Sequence, residues 1–177
     1  MFQVAPSVLF IAAVAATQPV PAKRRLTDDE KRAADSYVKA AYAWIDDVSA
    51  RCLKIGYMLS DVMHGIASNG DATRAEIKSL QRLFDAKARP FDAAPSPKFA
   101  EMVAFRRLYL DFVAMQRPSI ERGLPAVLAL AEDRRLPEDE RVRQVLAKLH
   151  EQDFDGPMWT GKLDAAKKAV DAALKRR

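Results

Sequence analysis

TDDEKRAADSYVKAAYAWIDDVSARCLKIGYMLSDVMHGIASNG, residues 27–70, decides the fold. It opens on Thr27-Asp28-Asp29-Glu30, a capping box in which the threonine hydroxyl and the glutamate each satisfy a backbone N–H of the first turn. The two aspartates suit the positive end of a helix dipole. Apolar residues then recur at Tyr37, Ala41, Trp44, Val48, Cys52, Ile55, Leu59, Val62 and Ile66, with spacings that alternate between three and four. That is one narrow stripe on a helix. Ser68-Asn69-Gly70 reads as its stop. The expected helix has about 40 residues and is on the order of 60 Å long at 1.5 Å per residue. Gly56 near its middle could permit a bend.

Outward from this helix, the pattern stays helical. A second capping box, Thr73-Arg74-Ala75-Glu76, opens a helix expected to run to Arg89 and to fold back antiparallel on the first. Ser96 with Pro97 starts a third, ending near Gln116, with Met102, Phe105, Leu108, Tyr109, Phe112 and Met115 inward. Pro118 and Pro125 bracket a shorter helix over 120–132. Pro137 begins a fifth with Val142, Val145, Leu146 and Leu149 inward. Thr160 caps a last one carrying Leu163, Ala166, Val170 and Leu174. No segment alternates in the manner of a strand. The expectation is an all-α, single-domain bundle of about five to six helices built on the long first helix, occupying residues 23–177.

The totals agree with a folded helical domain. The chain has 177 residues, 49% apolar and 30% charged, with only 6 glycines. Its 29 basic groups against 24 acidic ones leave a net +5, spread in pairs rather than in a run that would grip nucleic acid, so no nucleic-acid partner is expected. One cysteine, Cys52, rules out an intramolecular disulfide.

Residues 1–22 carry no charged side chain, and charge begins abruptly at Lys23-Arg24-Arg25. The apolar block 7–16, followed by a proline-broken stretch ending in Val20-Pro21-Ala22, has the layout of a secretion signal cleaved before Lys23. A periplasmic or secreted location follows as the expectation. The competing reading is a membrane tether through residues 1–22 left uncleaved, although the apolar run is shorter than the ~20 residues a span needs.

Catalytic and cofactor chemistry finds little material. There are two histidines, His64 and His150, and no Gly-x-Ser-x-Gly elbow or phosphate-cradling glycine loop. Haem attachment of the c-type needs two cysteines, and a di-iron bundle needs paired Glu-x-x-His motifs, of which Asp61-Val-Met-His64 is a single imperfect half. No catalytic residue, metal ligand or cofactor is therefore expected. A cell-wall hydrolase using a buried carboxylate is the alternative, with Glu101 at the edge of an apolar face as its candidate acid.

The most informative oddity lies on the far side of the first helix. With the apolar stripe in front, Tyr42, Leu53, Tyr57 and His64 fall behind, and Leu53, Tyr57, Ser60 and His64 form a second face that is aromatic and polar. Either the helix is central and packed on both sides, or this face takes a partner helix or small ligand. The function expected is a non-enzymatic binding or structural accessory of the cell envelope. Its partner would be another protein or an envelope component.

Overall fold

The structure, a computed structural model, describes residues 25–66, 70–85, 96–151 and 156–175. Helix α1 runs Asp28–Met63. Its capping box forms as read: Glu30 N donates to Thr27 Oγ1 at 3.2 Å and Thr27 N donates to Glu30 Oε2 at 2.9 Å. The stop comes earlier than expected. Gly65, at φ +75°, ends the helix in a Schellman turn, with Gly65 N donating to Val62 O and Ile66 N to Asp61 O. Ile66, read into the stripe, is therefore outside the helix and 76% exposed. The last carbonyls have distant donors as well. Arg134 Nη2 reaches Val62 O and Arg141 Nε reaches Met63 O, both at 2.9 Å. Cations at the negative end of a helix dipole are favourable, and these two arrive from more than 70 residues along the chain.

Helix α2, Asp71–Leu83, folds back antiparallel on α1, as Trp44 Nε1 donating to Leu83 O and Arg51 bonding Glu76 show. The second capping box does not form. The helix starts two residues before Thr73, which is buried in the first turn. Glu76 turns instead to Arg51 and Lys54 on α1. Gly70 precedes α2, and its N–H goes to Glu132 Oε1, 3.0 Å away.

Helix α3, Ala100–Pro118, begins four residues after Ser96, whose hydroxyl accepts from Arg106 rather than capping the helix. Its expected inward face is sound: Met102, Phe105, Tyr109 and Phe112 are buried, joined by Val113. The two prolines do not separate the next helix. The chain passes through a π turn, Ser119–Gly123, straight into α4, Leu124–Glu132. Leu124 N donates five residues back to Ser119 O, which leaves the Ile120 carbonyl without a backbone donor, because Pro125 has no N–H. Gln81 Nε2 on α2 fills the gap, donating to the carbonyls of Ile120 and Glu121 at 3.2 and 3.3 Å.

Helix α5 is Glu138–His150 and α6 is Gly156–Leu174, the latter starting four residues ahead of Thr160. Leu146 and Leu149, expected inward on α5, are 51% and 37% exposed. Val145 is buried as expected, and Arg141, one turn before it, is buried beside it where its guanidinium reaches the end of α1. The core joins the front stripe of α1 to every other helix. At its centre Trp44 meets Phe84 and Tyr109 edge-on, with ring centroids 5.0 and 5.8 Å apart. The fold is all-α, and no strand occurs among the described residues. No helix among them is long and apolar enough to cross a membrane. The expected leader, residues 1–22, lies outside the described residues.

Candidate functional site

A helix as long as α1 presents two stripes, and their fates differ. On the front, Tyr37, Ala41, Trp44, Val48, Ile55, Leu59 and Val62 are buried, with Cys52 half-buried. Burial pushes the Cys52 thiol up from its ordinary value. The rear stripe recurs at Asp35, Lys39, Tyr42, Asp46, Leu53, Tyr57, Ser60 and His64. Its first half faces α6. Tyr42 stacks on Phe105 at 6.3 Å, and its hydroxyl donates to Asp164 on α6 at 2.8 Å. Burial, and then the hydrogen bond to Asp164, raise the Tyr42 pKa, so the phenol stays neutral.

Beside this contact, α1 and α6 leave a half-open groove of about 360 Å³. It is lined by Asp35, Val38, Lys39, Tyr42, Ala43 and Asp46 of α1 and by Lys167 and Asp171 of α6. The lysines are committed within their own helices, Lys39 to Asp35 at 2.7 Å and Lys167 to Asp171 at 2.6 Å. Sequence reasoning passed over these groove residues. For those on α1, the signal is the same four-three-four spacing on the rear stripe, Asp35, Lys39, Tyr42 and Asp46. Glu101 does not line this groove; it is half-buried in the first turn of α3.

The second half of the rear stripe has no such neighbour among the described residues. Leu53 is 62% and Tyr57 67% exposed, one turn apart, and a Cβ added to Gly56 between them would meet nothing within 4 Å. Ser60 is half-buried and His64 is exposed. The His64 ring folds back on its own helix, Nδ1 lying 2.9 Å from the Ser60 carbonyl. A carbonyl can only accept, so Nδ1 is the donor in this contact. The four residues singled out in the sequence thus share one open face at the C-terminal end of α1. Packing on both sides holds for the first half of the helix only.

Among the described residues, no three His, Cys, Asp or Glu side chains gather as metal ligands would, and Asp61 and His64 have no third donor beside them. The face offers apolar contact area, one imidazole and one hydroxyl. Comparison of the chain with protein-family models, curated proteins and solved structures gives no match.

Proposed function

We propose that the protein is an exported, non-enzymatic helical module of the cell envelope that binds another protein, or an envelope component, through the rear face of α1. The observation that carries this reading is the exposure of Leu53 and Tyr57 on one helical face while the other large apolar side chains of the same helix are buried or half-buried. Large apolar side chains left in water on a rigid helix are the usual material of a binding surface, with aromatic residues supplying much of the affinity. Export is supported by the uncharged residues 1–22 ahead of Lys23-Arg24-Arg25.

The test is affinity capture from an envelope fraction with the natural chain and with Leu53→Ala plus Tyr57→Ala. Both side chains are exposed, so the substitutions should change stability by less than ~0.5 kcal/mol, and circular dichroism checks that the helices persist. A partner recovered by the natural chain and lost by the double variant supports the reading. Unchanged recovery removes it. Fractionation with N-terminal sequencing tests export separately: a mature chain beginning near Lys23 supports it, and one beginning at Met1 in the membrane pellet contradicts it.

A further inference from the structure

The open face of α1 is acidic on a chain that is basic overall. Asp46 lies two turns before Leu53 and Asp61 one turn after Tyr57, and both are exposed. Neither carboxylate has an ion-pair partner among the described residues, because the cations nearby are already engaged. Arg51 bonds Asp47 and Glu76, Lys54 bonds Glu76 at 2.7 Å, and Lys39 bonds Asp35. Beyond Asp46 the same side of the helix runs into the groove, where Lys39 and Lys167 are neutralised by Asp35 and Asp171. The molecule carries a formal +5. A net-negative strip on such a molecule is a local signal, set against a background that repels cationic partners.

Resting on the reading of this face as a partner surface, we infer that its occupant is a basic amphipathic helix of another protein. Its apolar side would seat on Leu53 and Tyr57, with a side chain dropping against the bare backbone at Gly56. Its lysines or arginines would meet Asp46 and Asp61. Those two carboxylates stand fifteen residues apart, which is ~22 Å along the helix at 1.5 Å per residue. The partner must therefore carry positive charge near both ends of a four-turn segment. Helix-on-helix docking of this kind is a common recognition mode, with the apolar anchors giving affinity and the rim charges giving orientation and rate. An anionic lipid surface is the wrong sign for this strip.

The experiment uses the full chain and two fluorescein-labelled peptides of about 18 residues, long enough to cover that span: a Leu/Lys amphipathic helix and its Leu/Glu counterpart. Fluorescence anisotropy reads binding at low and high salt. The Leu/Lys peptide should bind at least ~10-fold tighter than the Leu/Glu one and lose affinity as salt rises. Leu53→Ala with Tyr57→Ala should weaken it by ~10-fold or more, and Asp46→Asn with Asp61→Asn by several-fold, with most of the salt dependence gone. If both peptides bind alike and both depend on Leu53 and Tyr57, the basic partner is overturned while the face reading stands. If neither depends on Leu53 and Tyr57, both fall. If sedimentation shows a dimer that Tyr57→Ala dissolves, the occupant is a second copy and the inference is overturned.

Discussion

Gly70 and Gly56 show how differently two glycines can be used. A Cβ on Gly70 would come within 2.3 Å of Glu132 Oε1 and 2.8 Å of Leu128 Cδ1. Both are side-chain ends, yet neither is loose. Glu132 is held by Arg74 Nη2 through both oxygens, at 2.9 and 2.7 Å, and Leu128 is buried. Gly70→Ala should therefore cost about 1–2 kcal/mol in urea unfolding. Gly56→Ala, in open space on an exposed helix, should gain about 0.5–1 kcal/mol by the same measurement. Charge at single residues sets a pH dependence too. A hydrogen bond from Lys54 lowers the Glu76 pKa, one from Arg135 holds Asp133 down at about 2, and one from Arg143 holds Glu140 at about 2. Their ordinary values are 4.5 for the glutamates and 3.8 for the aspartate. The unfolded chain therefore binds more protons across the window between, so stability rises with pH there. The contribution is complete above about pH 5 and is lost as pH falls toward about 2. Urea midpoints should decline over that range and stay flat above it. Because the basic partner of each pair is exposed, added salt should blunt the decline.

At the scale of elements, α1 was the most legible part of the chain and the segment around Pro118 the least. The capping box at Thr27 and the front stripe are local patterns, and local patterns survive folding because every neighbour that packs there wants the same face. The end of α1 was less readable. Its Schellman turn needs only Gly65, but its carbonyls are completed by Arg134 and Arg141, more than 70 residues away along the chain. Local sequence cannot announce donors that arrive from elsewhere. The same limit applies to α5, where Leu146 and Leu149 stay exposed and Arg141, reaching the end of α1, is buried. The prolines at 118 and 125 read as breaks, since each removes a backbone donor. The chain continues through them because a π turn shifts the register and Gln81 supplies the missing donor from α2. Gln81→Ala should leave the Ile120 carbonyl unsatisfied and lower stability by about 1–2 kcal/mol, measured by thermal unfolding. A loss within error would mean that solvent serves that carbonyl equally well.

For the whole molecule, the sequence specified the class and the organising helix, and it singled out Leu53, Tyr57, Ser60 and His64. It left open whether that face was covered, because exposure depends on where α6 lies. Tyr42 and Leu53 belong to one stripe and have indistinguishable local patterns. Only the packing of α6 against Tyr42 makes one a structural contact and the other a free surface. The groove residues Asp35, Lys39 and Asp171 were hidden for the same reason. The central claim is that α1 buries its front stripe along its length and leaves the second half of its rear stripe to water. Paramagnetic relaxation from a soluble gadolinium chelate tests it directly, read on methyl and aromatic NMR signals of the free protein. Leu53 methyls and the Tyr57 ring should relax strongly, and those of Ile55, Leu59 and Trp44 should be protected. Leu53 and Tyr57 as protected as Ile55 would mean that something already covers this face, and the claim would be wrong.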